Sequence, residues 1–183
     1  MMGVMARKPV AREAVLDAFE SLLITEGERA ATLDAVARTA GVSKGGLLYH
    51  FPTKDAMISV LLERLDRLLA EDLEAMAAAP EGAAAYFIKS SVWADTPLDR
   101  VFVAATRLAE VAHAETLRRM AGVQESWLAL LAADVGPAMA KPVLYMGDGL
   151  YFNAMLARGP GGAAPDVAGD VESLLAAVER LRG

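Results

Sequence analysis

Between residues 32 and 55 the chain reads Thr-Leu-Asp-Ala-Val-Ala-Arg-Thr-Ala-Gly-Val-Ser-Lys-Gly-Gly-Leu-Leu-Tyr-His-Phe-Pro-Thr-Lys-Asp. Its polar residues suit recognition of phosphates and base edges rather than bond-making. On a short helix, Ser43, Lys44, Gly45, Gly46, Tyr49 and His50 form a polar or small face, while Leu47, Leu48 and Phe51 anchor the helix to its neighbours. A helix opened by Ser, Lys and Gly points amides outward with nothing bulky in the way. Two adjacent glycines cost about 1 kcal/mol each relative to alanine in a helix. Close approach to DNA is one compensation; relief of crowding inside the head is the other.

Nothing in the chain composes a catalytic site of a familiar kind. His50 and His113 are the only histidines and there is no cysteine, so neither a metal site nor a disulfide framework is expected. There is no Gly-x-Ser-x-Gly elbow and no phosphate-binding Gly-x-x-x-x-Gly-Lys-Ser/Thr. Gly159-Pro160-Gly161-Gly162 follows a helical pattern rather than a strand, so it reads as a connector and not as a dinucleotide loop. The expectation is a non-enzyme with no cofactor. A helical enzyme working through carboxylates alone, or a helical protein-interaction module, are the competing readings.

The elements that must position these residues are helices throughout. Val15, Phe19, Leu22 and Leu23 mark a first helix ending near Gly27. Thr32 caps a second to about Thr39, Gly41 allows the sharp turn, and Val42 plugs the corner. Ser43 caps a third to about Phe51, where Pro52 stops it. A long fourth helix opens at Thr53, carries Ile58, Leu61, Leu62, Leu65, Leu69, Leu73 and Met76 on one stripe, and ends at Pro80. Further helices are expected at about 81–94, from 98 to about 134 with a break near His113 or Gly122, from Pro137 and Pro142 to Ala157, and at about 166–182. That makes an all-α fold of about nine helices, with a head over 1–52 and a body over 53–183.

The segment Gly41 to Lys54 resembles the recognition segment of the TetR family of bacterial transcriptional regulators, and Thr32 to Gly41 resembles that family's preceding helix. The likeness extends over about residues 10–58. It implies a homeodomain-like three-helix head with a helix-turn-helix, joined to a TetR-like ligand-binding and dimerisation domain. It also implies roles: Thr32 and Lys54 on phosphates, Lys44, Gly45 and Gly46 at the major groove, Tyr49 and His50 on the backbone. An arm with Arg7, Lys8 and Arg12 could add phosphate contacts. Repression is the family default, and drug-responsive repressors are among its members.

Net charge is −6, yet residues 1–55 hold 7 basic and 7 acidic side chains against 11 and 17 in the remainder. A neutral head binds phosphate if its basic groups share a face. Hydrophobic residues make up 55% of the chain and mean hydropathy is +0.32, yet no apolar run reaches the roughly 18 residues a membrane span needs. A cytoplasmic protein is expected, its apolar excess going to a subunit interface. One head is too small to be selective, so a homodimer on a palindromic operator is expected, with heads roughly 34–36 Å apart. Val143, Gly147, Leu150 and Ala154, with Val171, Leu174 and Val178 of the last helix, offer a pairing surface; the same stripes also serve the chain's own core. Trp93, Phe102, Met120, Trp127, Tyr145, Tyr151 and Phe152 are candidates to line an effector pocket, though any helical core uses such residues. Asp148, in an otherwise apolar helix, is open to three readings: exposure at the surface, an accepted hydrogen bond, or a cationic group on a small hydrophobic effector.

Overall fold

The computed structural model describes residues 7–156 and 167–182. Among these, nine helices and no strand are present: α1 (Arg7–Glu26), α2 (Leu33–Thr39), α3 (Lys44–His50), α4 (Lys54–Ala78), α5 (Ala83–Ser90), α6 (Pro97–Glu110), α7 (Ala114–Val135), α8 (Pro137–Leu156) and α9 (Ala168–Arg182). The early boundaries follow from local chemistry. Gly27, at φ +83°, closes α1 by donating its amide to the carbonyls of Leu22 and Leu23. The Thr32, Ser43 and Thr53 hydroxyls accept from the amides of Ala35, Gly46 and Ala56, the first orphan donors of α2, α3 and α4. Gly41 turns the chain between α2 and α3 at φ +66°.

Two later boundaries differ from expectation, those of the fifth and eighth helices, and the break after α6 falls at one of the two places expected for it. The fifth helix is shorter than 81–94, ending at Ser90, and Asp95 at φ +56° then turns the chain into α6. The break in the long helical stretch falls at His113, where Ala112 adopts φ +59°, while Gly122 lies inside α7. Pro142 sits within α8, so Pro137 alone opens that helix. The Gly159–Gly162 connector lies outside the described residues.

The chain forms two compact units: residues 1–68 with 97–120, and residues 69–96 with 121–183. In the first, α1 packs on α2, α3 and α6. Val15, Leu16, Phe19, Leu23, Leu47, Phe51, Leu61, Leu62, Leu65 and Leu108 are almost fully buried there. In the second, α5, α8 and α9 pack on one another, and Phe87, Ile88, Leu131, Val143, Leu144, Leu150 and Val178 share its core. Helix α4 contributes to both units, ending its share of the first at Leu68.

Glu20, only 4% exposed, is a carboxylate within the apolar face of α1. It accepts from Arg64 of α4 at 3.1 Å and from Arg100 of α6 at 3.0 Å, while Arg64 also reaches Asp17 and Glu13 at 2.8 Å. Burial works against the Arg64 charge, but the bonds and charges of Asp17 and Glu20 outweigh it and raise its pKa above the ordinary value. The network cross-links α4 and α6 to α1, the helix on which α2 and α3 pack. A cavity of about 400 Å³ along it is lined largely by these same charged side chains.

Candidate nucleic-acid interface and sensor residues

Helix α3 shows its polar face to solvent. Lys44 and Tyr49 are exposed, Tyr49 to 69%, and Tyr49 stands edge-on to His50 with ring centroids 5.2 Å apart. Ser43 and Thr32 use their oxygens as cap acceptors, which leaves each hydroxyl hydrogen available to an outside acceptor such as phosphate. Lys44 reaches Asp34 of α2 at 2.9 Å with both side chains 59% exposed. A pair so exposed contributes roughly 0–1 kcal/mol and is easily exchanged for a phosphate.

Two residues of the head sit otherwise than the sequence pattern suggests. Leu48, expected to anchor α3 beside Leu47 and Phe51, is 38% exposed, whereas Leu47 and Phe51 are buried. On a seven-residue helix lying over α1 and α2, residues 47 and 51 lie one turn apart along the inner face, and residue 48 is rotated about 100° from 47. Val42 is half-buried rather than a sealed plug. Lys54 is tied inward: its ammonium donates to the Glu28 carbonyl at 2.6 Å and carboxylate at 2.7 Å, pinning the start of α4 to the turn after α1. One of its three hydrogens is left for a phosphate. Arg12 lies in α1, its guanidinium 5.3 Å from the centre of the Phe51 ring; the side chains of Arg7 and Lys8 lie outside the described residues.

The two glycines of α3 are not equivalent. A Cβ on Gly46 would press on the Ser43 cap hydroxyl at 3.2 Å, but one on Gly45 would meet nothing within 4 Å. Crowding inside the head therefore accounts for part of Gly46 and for none of Gly45.

The effector candidates divide between the units. Phe102 and Met120 are half-buried in the first. In the second, Trp93 and Tyr151 come together with ring centroids 6.2 Å apart, and Trp127 stands edge-on to Phe87 at 5.5 Å. Tyr145 and Phe152 are 59% and 58% exposed on α8, with the Lys141 ammonium 5.9 Å from the centre of the Tyr145 ring. Asp148 is half-buried, and burial alone raises its pKa.

The α8 stripe serves the chain's own core. Val143, Gly147, Leu150 and Ala154 are all buried within the chain, as is Val178 of α9. A side chain with no exposed surface has none left to remove from water against a second copy. Gly147 is small because Phe87 of α5 and Ser91, the residue that closes that helix, lie directly against it. Val171 and Leu174 remain half-buried on α9. Sequence reasoning also missed the Glu20–Arg64–Arg100 network, whose signal was a charge set within an apolar helical stripe on both α1 and α4.

Residues 15–61 match the family described as bacterial regulatory proteins, tetR family. The chain is 28% identical over 172 residues to the HTH-type transcriptional regulator BetI of Rhizobium meliloti (strain 1021), covering 87% of this chain and 85% of that regulator. It is 40% identical over 86 residues to the HTH-type transcriptional regulator RutR of Escherichia coli (strain K12), covering 43% of this chain and 39% of RutR. The fold matches that of the multidrug binding protein EbrR, crystallised with malachite green, at a TM-score of 0.66 and 20% identity over 93% of this chain and 96% of that one. With its capped helix-turn-helix at residues 32–51 inside the matched segment, the chain carries the DNA-binding segment of the tetR family of bacterial regulatory proteins, and over most of its length it is similar to a regulator of that kind.

Proposed function

We infer that this regulator acts as a homodimer whose two α3 helices read a palindromic operator, and that a small hydrophobic cation releases it. The observation that carries DNA reading is the outer face of α3, where Lys44 and Tyr49 are exposed on a helix capped by Ser43. Selection from a random DNA pool, followed by mobility shift against competitor DNA, tests it. Lys44→Ala and Tyr49→Ala should each weaken operator binding about tenfold, in keeping with the roughly 1–3 kcal/mol of a good contact. Lys44→Ala should also flatten the salt dependence by about one unit for each phosphate it no longer neutralises. Binding that ignores salt, or two variants that bind as the parent does, would refute the reading.

With the α8 stripe spent on the core, Tyr145 and Phe152 of α8 and the half-buried Val171 and Leu174 of α9 are the surfaces left for a second copy. Helix α4, shared by both units, is the connection through which effector binding reaches the head. The effector acts only by as much as its affinity differs between the two dimer geometries.

Asp148 supports a cationic effector, since its half-buried carboxylate has no ion-pair partner among the described residues. Its folded pKa lies above the unfolded value. The stability it contributes is therefore present at low pH and lost as pH rises through that raised value. At pH 7, Asp148→Asn should melt higher than the parent, with the gap closing as pH falls toward the ordinary carboxylate range. A quaternary ammonium dye should raise the parent's melting temperature more than the variant's. A variant less stable than the parent at neutral pH would place Asp148 in an internal bond instead.

A further inference from the structure

Leu48 breaks the pattern of its helix: an exposed leucine beside Tyr49, with Lys44 one turn before it. Three residues before it stands Gly45, also on the exposed side of α3. Gly45 has ordinary helical geometry, and a Cβ there would meet nothing inside the chain, so neither backbone conformation nor internal space calls for glycine. The helix thus carries a hollow at Gly45 next to an apolar knob at Leu48, on the face that also bears Lys44 and Tyr49. In the major groove the apolar group that distinguishes one base from the others is the C5-methyl of thymine.

The geometry points to Leu48 as a specificity residue that packs on a thymine methyl in each half-site, with Gly45 giving α3 the clearance to bring it there. This rests on α3 being the element that reads DNA. Leucine can neither donate nor accept a hydrogen bond, so the contact discriminates thymine by its methyl alone.

The test uses the full-length protein and its selected operator, with thymines replaced one at a time by uracil, which removes the methyl and leaves every hydrogen-bonding group in place. For the parent, one position per half-site should weaken binding about fourfold, and both together about fifteenfold, the worth of burying one methyl at each. Leu48→Ala should show no loss at those positions while melting close to the parent. The same uracil penalty in Leu48→Ala, or no sensitive position in the parent, overturns the assignment while leaving DNA reading intact. Failure of the parent to select any DNA overturns both, and so is a distinct result.

Discussion

Gly147→Val is expected to lower stability by about 3 kcal/mol, the upper part of the usual range for overpacking a filled core, and the melting temperature by about 6–12 °C. Helix α8 meets α5 at this residue. A Cβ placed there would overlap the Phe87 ring, with Cδ1 at 2.9 Å, and come within 2.6 Å of the Ser91 hydroxyl. Neither neighbour can give way cheaply. Phe87 is 5% exposed and held edge-on by Trp127, and Ser91 is buried with its hydroxyl donating to the Phe87 carbonyl at 2.6 Å. The check is a pair of denaturation curves, with Phe87→Leu combined with Gly147→Val as the second arm. Shortening the ring should recover part of the loss, so the two changes should be non-additive, as expected of residues in contact. A Gly147→Val protein that melts with the parent would mean that α8 does not lie on α5 at this point.

Gly147 also shows where sequence reasoning reaches its limit. Small and apolar residues at 143, 147, 150 and 154 say that something packs closely on α8; they do not say whether it is another helix of the same chain or a second copy. That choice depends on α5, nearly sixty residues earlier, and on how Phe87 is oriented, which no local pattern encodes. The caps at Thr32, Ser43 and Thr53 and the turns at Gly27 and Gly41 are legible because a hydroxyl three residues before an orphan amide, or a glycine where φ must be positive, is a local matter. The family resemblance is legible for the same reason, since its motif is one contiguous stretch. Lys54 and Glu28, and Glu20 with Arg64 and Arg100, are not: ion pairs between residues 26 to 80 positions apart exist only once the helices are packed. Leu48 reads as core in the sequence because two leucines in succession look like one anchor, although a helix can turn only one of them fully inward.

Gly45 separates stability from function in a way that can be measured. Because a side chain there meets open space and the backbone is helical, Gly45→Ala should stabilise the protein by up to about 1 kcal/mol through helix propensity alone. Gly45→Leu should melt no lower than the parent. On DNA the order reverses. If α3 enters the groove with the Gly45 side foremost, each added methyl group stands where a base edge or sugar must come. Overpacking of about 1–3 kcal/mol per head, repeated over two heads, makes a loss of about thirtyfold the least expected for Gly45→Leu. Alanine should fall between leucine and the parent. The measurement is a melting curve and an operator titration on the same three preparations. A leucine variant that binds as the parent does would mean that this face does not enter the groove, and the role given to Leu48 would fall with it. A leucine variant that is unstable would instead place the requirement for glycine inside the head. The expected pattern, in which the protein grows firmer as it loses its operator, arises only if Gly45 is there for the DNA.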